Sequence, residues 1–143
     1  MKNLETAIKI AAASVFVFYL KVHYAHFNIE GPNFYQYHKL LDDIYKDVWE
    51  SFDGIGEQIR ALAIYTPASM TEFNMLSVVV DFDGVKKAHE MLHELLLDND
   101  RVIQILNEVD SLSGNHKGLQ NFIQGRIDMH EKWSWMLRAT VHP

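Results

Sequence analysis

Strong helix breakers are few in this chain of 143 residues, and their scarcity constrains the fold more than any other feature. They lie at Gly31-Pro32, at Pro67, at Asp83-Gly84 and at Ser113-Gly114 with Gly118. Gly carries a high entropic cost inside a helix, and Pro lacks the amide donor that a helix needs. The long stretches between these breakers therefore predict four long helices and one short insert.

The four predicted helices cover most of the chain, and no segment alternates like a strand. They run from about Asn3 to Phe27, Asn33 to Ile64, Asp83 to Val109 and Lys117 to Ala139. A short apolar insert, from Thr71-Glu72 to Val80, is expected to pack across one face. Together these elements predict a single all-α domain over residues 1–143, a four-helix bundle with a short extra helix between helices two and three.

The second predicted helix has the clearest helical period. Its apolar residues recur every three or four positions and fall on one side of a helical wheel, which predicts a core face. The members of that face are Tyr37, Leu41, Ile44, Val48, Phe52, Ile55 and Ile59. Asn33, followed three residues later by Gln36, predicts a capping box at the start of this helix.

Composition narrows the chemistry that the chain can carry. Cysteine is absent, which excludes disulfides and thiolate metal sites, so a metal would need His, Asp, Glu or Asn ligands. The net charge of −6 favours cations over phosphates as partners. The apolar run from Ile10 to Leu20 is short of the roughly 20 residues that span a bilayer, and no signal-peptide cleavage site follows it. A soluble cytoplasmic protein is expected.

Two pairs of possible metal ligands lie on one face of the second helix. His38 and Asp42 are four residues apart, as are Asp53 and Glu57, so each pair forms neighbouring donors. The two pairs are separated by roughly 16 Å along the axis, too far to share one ion. An antiparallel two-fold partner would bring His38 and Asp42 of one chain to the acids of the other. Spacing alone favours the alternative that these are two pairs of solvated surface charges.

A longer motif adds specificity. The stretch from His26 to Phe34, which reads His-Phe-Asn-Ile-Glu-Gly-Pro-Asn-Phe, precedes these pairs at a fixed spacing. With the short insert and a closing stretch from Glu131 to Arg138, the whole chain resembles the Dps family of miniferritins. The resemblance implies a metal site made by His26, His38 and Asp42 of one subunit, facing Asp53 and Glu57 of its two-fold partner.

The resemblance also implies a function. Such proteins are ferroxidases that oxidise iron(II), with hydrogen peroxide preferred to dioxygen, and store ferric iron in a hollow shell, which protects against oxidative damage. The expected partners are iron, peroxide and further copies of the chain, in a two-fold dimer and a homododecamer of about 200 kDa. Mixed carboxylate and imidazole ligands also suit zinc or manganese, which could substitute for iron.

Other residues near the ligand face carry weaker expectations. Trp49 is expected in the core, and His23 is expected to be a satisfied interior or interface histidine. An acidic strip of Asp43, Asp47 and Glu50 either lines a mineral cavity or is solvated, and the pattern does not decide between them. The acids that line iron pores in miniferritins are absent from the start of the last helix. That segment instead carries Asn115, His116, Lys117, Gln120, Asn121 and Gln124, and its first acid is Asp128.

A competing motif lies on the third predicted helix. The stretch from His89 to His93, with Glu90, fits the H-E-x-x-H signature of zinc proteases. The metzincin continuation is missing, because Leu96 and Asn99 occupy the positions of its glycine and third histidine. Glu90 and His93 also form one lone Glu-x-x-His, where a di-iron bundle needs two. The motif is therefore interpreted mainly as a chance surface pattern, with a zinc metalloprotease and accidental metal binding by the two histidines as lesser alternatives.

DNA compaction is the second alternative that the resemblance raises. Basic terminal extensions supply the phosphate contacts in family members that coat DNA, whereas here the first helix is predicted from Asn3 and the end reads Thr-Val-His-Pro. With a net charge of −6 as well, DNA binding is expected to be weak or absent.

We predict no shift of linear DNA in a gel-shift assay at about 150 mM salt without divalent ions, because phosphates repel a net-negative shell. Tight binding under these conditions would reveal a basic surface patch and contradict the prediction.

Overall fold

The computed structural model describes residues 2–143 as five helices joined by loops. Their bounds are α1 (Leu4–Asn28), α2 (Phe34–Ala61), α3 (Met70–Leu76), α4 (Ala88–Leu112) and α5 (Lys117–Val141). The four long helices pack as a bundle in which α1 lies against α2 and α4, and α5 lies against α4 and α2. No strand occurs within residues 2–143, so the all-α, four-helix prediction is confirmed.

Helices α4 and α5 end at Leu112 and Val141, slightly beyond the predicted Val109 and Ala139, whereas two other boundaries make a helix shorter than predicted. Helix α2 ends at Ala61 because Ala63 adopts a φ of 61° and the amide of Ile64 turns back to the carbonyl of Ile59. Helix α4 begins at Ala88, five residues later than predicted, because Gly84 turns with a φ of 118° and the chain stays out of helical geometry through Lys87. The Asp83-Gly84 signal therefore marks a turn, not the start of a helix.

The capping box occurs at a different helix from the one predicted. Asn33 makes no capping hydrogen bond with its side chain, and its amide instead donates to the Tyr37 hydroxyl at 3.4 Å. The box lies at Ser69 and Glu72, where the Glu72 amide donates to Ser69 Oγ at 3.2 Å and the Ser69 hydroxyl donates to Glu72 Oε1 at 2.9 Å. These bonds fix the start of the seven-residue helix α3.

The apolar face of α2 lies in the core, as its period predicts. Leu41, Ile44, Val48, Ile55 and Ile59 are fully buried, whereas Tyr37 and Phe52 are half-buried at the edge of the face.

Helix α3 covers one side of the α1–α2 pair. Phe73 of α3 stacks on Phe16 of α1 with ring centroids 4.5 Å apart and meets Phe52 of α2 edge-on. The predicted packing of the insert across one face is confirmed, and α3 thus belongs to the same hydrophobic unit as the bundle.

Helix α1 has the length and hydropathy of a membrane span. Its most apolar window is 56% buried against the rest of the chain, as in the core helix of a soluble bundle. No other helix within residues 2–143 meets the same criteria.

Buried Lys21 ties α1 to α4 and to the loop that precedes α4. Its ammonium group pairs with Asp98 at 2.8 Å and with Glu94, and it donates to the carbonyl of Val80 at 2.6 Å. It also lies 4.7 Å from the ring centroid of Phe82. A buried ammonium needs such partners, so this network fixes the long α3–α4 connection.

Asp47 joins α2 to α5 in the interior. Arg126 donates to both of its carboxylate oxygens at 2.9 and 2.8 Å, and Trp133 Nε1 donates at 2.8 Å. Burial alone would raise the pKa of Asp47, but these hydrogen bonds and the Arg126 charge outweigh it and hold the pKa low. Neither expectation for Asp47, a mineral cavity or free solvation, is correct, because the side chain serves as a structural ion pair.

His130 extends this network to α4. Its Nδ1 donates to Asn99 Oδ1 at 2.8 Å, while its Nε2 accepts from Arg126 at 3.2 Å. The Asn99 amide donates in turn to Ser134 Oγ at 2.7 Å. Complete burial, with the Arg126 charge beside it, lowers the pKa of His130 to about 3, so the ring is neutral in the folded protein.

We predict that acidification weakens the fold through His130. The unfolded chain protonates this ring below about pH 6.5, whereas the folded chain keeps it neutral down to a pKa of about 3. The unfolded state therefore binds more protons in this window, and the free energy of unfolding falls by up to about 1.4 kcal/mol per pH unit as pH decreases.

Urea unfolding at about pH 7 and about pH 5 measures this effect. The variant His130→Gln should be less stable at neutral pH but lose less stability on acidification than the wild type. The variant His142→Gln, which changes an exposed histidine, should keep the wild-type pH dependence. An unchanged dependence in His130→Gln would contradict the prediction.

Candidate metal centre

The end of α1 and the start of α2 bring two predicted ligands together. Gly31, with a φ of 120°, turns the chain between the helices, a conformation that favours glycine. His26 lies in the last turn of α1 and His38 near the start of α2. Their rings stack with centroids 3.8 Å apart at an angle of 20°. The two imidazoles therefore form one unit although twelve residues separate them in the chain.

Reciprocal hydrogen bonds fix both rings. His26 Nδ1 lies 3.0 Å from the carbonyl oxygen of His38, and His38 Nδ1 lies 2.8 Å from the carbonyl oxygen of His26. A carbonyl only accepts, so each Nδ1 is the donor and each neutral ring keeps its lone pair on Nε2. Proteins commonly orient a histidine ligand in this way, with one ring nitrogen donating to a carbonyl and the other left for the metal.

His23 borders this pair but is held by other partners. Its Nδ1 lies 2.8 Å from the Tyr19 hydroxyl, and its ring stacks between Tyr45 at 3.9 Å and Phe27 at 4.4 Å. Burial and the neighbouring His26 lower its pKa. His23 is thus a half-buried histidine whose ring nitrogen is hydrogen-bonded, which confirms the prediction. It packs beside the two stacked histidines.

Asp42 lies one turn beyond His38. Its carboxylate accepts a hydrogen bond from Lys46 at 2.9 Å, with Lys39 at 3.9 Å. The hydrogen bond from Lys46 is the main cause that lowers the pKa of Asp42. The group is therefore an anion at neutral pH, and a metal ion that binds it must compete with a lysine.

Asp53 and Glu57 form the second predicted pair, and both are exposed. The negative charge of Asp53, and the hydrogen bond that a protonated Glu57 donates to it, raise the pKa of Glu57. Two carboxyl groups close enough to share a proton in this way can equally share a divalent cation.

The surface between the two pairs is open and partly apolar. Trp49 is 53% exposed, so its predicted place in the core is wrong; it contacts the Tyr19 ring at 4.9 Å instead. With Lys46 and Asp53 it lines a shallow depression of about 680 Å³. The helical period of the sequence could not predict this exposure. It places an indole at the edge of an apolar face but does not show whether the same chain or a second chain covers that indole.

Neither pair completes a site within one chain. Among residues 2–143, no group of three or more His, Asp and Glu side chains is placed to hold a metal ion. Asp42 and Asp53, the nearest members of the two pairs, lie three turns of α2 apart, roughly 16 Å along the axis. Each chain thus offers two separate half-sites on the same helix.

The other two acids of the predicted strip are exposed in the single chain. Asp43 pairs with Lys39 at 2.8 Å, and Glu50 is exposed beside the depression. The first turn of α5 contains no acid, in agreement with the sequence.

The H-E-x-x-H motif lies on the exposed side of α4. His89, Glu90 and His93 line a shallow groove with Glu94 and Leu97. No third protein ligand joins the two histidines among residues 2–143, so the geometry gives no support to a zinc protease.

Comparison with known proteins agrees with this fold. The family model of the ferritin-like domain matches this sequence over residues 5–142. The structure of antigen TpF1 from Treponema pallidum superposes with a TM-score of 0.94 at 26% identity, over 98% of this chain and 92% of that one.

A Dps protein and a DNA protection protein extend the comparison. The Dps protein of Vibrio cholerae, described as a member of a broad superfamily of ferritin-like diiron-carboxylate proteins, superposes with a TM-score of 0.91 at 22% identity, over 96% and 88% of the chains. The DNA protection during starvation protein of Helicobacter pylori is 25% identical over 97% of this chain and 98% of its own length. The chain therefore belongs to the ferritin-like domain family, and its fold is that of the Dps proteins.

Proposed function

We propose that the protein is a miniferritin ferroxidase whose iron sites lie between subunits. His26, His38 and Asp42 of one subunit and Asp53 and Glu57 of its two-fold partner are the ligands. The observation that carries this proposal is the reciprocal bonding of His26 and His38, because it fixes both Nδ1 protons and leaves both Nε2 lone pairs free. A merely structural pair of histidines has no need of two free Nε2 atoms.

Two-fold symmetry explains why each chain carries two incomplete halves. In an isologous dimer each contact occurs twice, so crossing α2 helices would join each half-site to the complementary half of the other chain. The exposed Trp49 lies between the halves, where such an interface would cover it. Two equivalent sites would then form per dimer.

The ligand set suits iron(II) as substrate. Three carboxylates and two neutral imidazoles offer hard oxygen and borderline nitrogen donors, which also accept zinc and manganese. The chain's own residues bind and orient the metal: the backbone carbonyls hold the imidazoles, and Lys46 moves from Asp42 as iron takes its place. Peroxide, or dioxygen, supplies the oxidant; two iron(II) ions give one electron each to one peroxide, which with two protons yields two waters.

Assembly and storage complete the proposal. A hollow dodecamer would hold the ferric product, as befits a cytoplasmic protein that protects against oxidative damage. The net charge of −6 per chain favours the approach of cations to such a shell. The acids usual at iron pores are missing from the first turn of α5, so iron would enter by another route.

DNA protection by compaction is the second candidate function. The name of the Helicobacter pylori relative favours it, since that protein is a DNA protection during starvation protein. The net charge of −6 opposes contact with phosphates, so we place protection in the removal of iron and peroxide.

We predict that the activity requires two subunits. Asp42→Ala and Asp53→Ala each damage every site of a homodimer, so each variant alone should oxidise iron(II) very slowly. In a mixed dimer one site carries both changes and the other carries none, so mixing should restore activity. Stopped-flow absorbance of ferric product measures the rates, and gel filtration near about 200 kDa verifies the assembly.

A matched control is mixing Asp42→Ala with His38→Ala, which affect the same half-site. No mixed dimer of this pair contains an intact site, so activity should not recover. Recovery in the control, or none in the first mixture after proven subunit exchange, would contradict a shared site.

We predict different roles for the histidines of α1–α2 and those of α4. His38→Ala removes a ligand and should abolish rapid peroxide-driven oxidation without loss of the assembly. The double variant His89→Ala, His93→Ala changes exposed residues far from the ligand motif in the chain and should keep the wild-type rate. Loss of activity in the double variant with assembly intact, or zinc-dependent cleavage of casein by the wild type, would place the chemistry on α4.

A further inference from the structure

The first two turns of α4 carry a second set of metal donors that the proposed function does not use. His89 and His93 are four residues apart, so their side chains lie one above the other on the same face of the helix. Both are exposed, and with Glu90, Glu94 and Leu97 they line one groove of about 320 Å³. The two imidazoles therefore share a single solvent-filled space.

The donors in this groove are free. Within residues 2–143, neither ring makes a hydrogen bond, and Glu90 makes no ion pair. Glu94 is different, because Lys21 and Lys86 already bind its carboxylate. Two imidazoles and one carboxylate thus remain available to an external ligand.

Most of the other histidines differ from His89 and His93 in that their rings are hydrogen-bonded. In His23, His26, His38 and His130, a ring nitrogen is bonded within the fold. His116, at the start of α5, is exposed and forms no such bond, but it has no second histidine at helical spacing. His116 is therefore a natural control for a solitary exposed imidazole.

The chemistry of the pair selects its ligand. Two imidazoles one helical turn apart chelate a divalent ion, and nitrogen donors suit copper, zinc and nickel. Affinity for such donors rises from iron(II) to copper(II), then falls slightly at zinc. Calcium and magnesium prefer oxygen donors and are disfavoured here. The positive end of α4 opposes a cation, but the Glu90 carboxylate in the same turn offsets it.

We propose that His89 and His93 form a surface site for one copper(II) or zinc ion per chain, separate from the iron site. In this arrangement Glu90 contributes a nearby negative charge and is not the general base of a protease, and water fills the remaining positions. The site takes metals late in the first transition row and leaves iron(II) to the oxygen-rich site.

Copper(II) titration of the assembled protein tests the site, with calorimetry for stoichiometry and electron paramagnetic resonance for the donors. The wild type should bind one more copper ion per chain than His89→Ala, His93→Ala, and that ion should show splitting from two imidazole nitrogens. A large excess of zinc should displace it. Either single variant should weaken this binding, and Glu90→Gln should weaken it less.

The matched control is His116→Ala, which should bind as much copper as the wild type. Iron oxidation in the double variant reports separately on the iron site, so failure of one proposal does not imply failure of the other. Equal stoichiometry and spectra for the wild type and the double variant would overturn the α4 site. An equal loss of copper in His116→Ala would also overturn it, since solitary surface histidines would then account for the binding.

Discussion

The fixed rise of helix α2 is the constraint on which the proposed chemistry depends. One face of this helix of 28 residues is buried in the bundle, so the helix can neither slide nor rotate without exposing its core residues. Its ligands therefore stay three turns apart, and no side-chain movement closes roughly 16 Å. A chain built in this way can bind a single ion with all four groups only through a second copy of itself.

The interior of the bundle explains why the chemistry lies outside it. Polar groups in the core are already committed to one another: Arg126 to Asp47, His130 to Asn99, and Lys21 to Asp98. These bonds join helices that are distant in sequence, and the burial of His130 keeps its ring neutral. An ion inside the bundle would have to break this network and leave buried charges without partners, at a cost of several kcal/mol. The interior network thus stabilises the fold, and the proposed ligands lie outside this network.

The fold was predictable because it follows from local rules. Few breakers and one strong helical period are enough to give four helices and the core face of α2. The start of α4 was not predictable from the sequence. Residues 83–87 include the turn at Gly84, and the preceding loop is held by the distant Lys21. The capping box at Ser69 and Glu72 follows the usual pattern of Ser with Glu three residues later, so the sequence could have predicted it. The Gly-Pro turn instead favoured a box at the start of α2.

The candidate site was predictable only in part. Helical spacing predicted the two pairs of ligands on α2, and the resemblance predicted how they combine between subunits. Neither could predict that the His26 and His38 rings stack and bond to each other's carbonyls across the turn. Asp47 looked like a surface acid because its partner, Arg126, lies 79 residues away. Trp49 looked like a core residue because a sequence does not distinguish the interior of one chain from an interface between two.

The chain's own residues balance and orient the ligands of each half-site, so the fold does not depend on a metal. Lys46 balances the charge of Asp42, and the repulsion between Asp53 and Glu57 raises the pKa of Glu57. In the proposed site, iron would displace Lys46 from Asp42, and its positive charge would offset the repulsion between the two acids. Because the carbonyls of His38 and His26 already orient the imidazoles, binding an ion there would cost little conformational entropy. In the proposed function the site would take up iron and release ferric product repeatedly, because neither the bundle nor its charge balance depends on the metal.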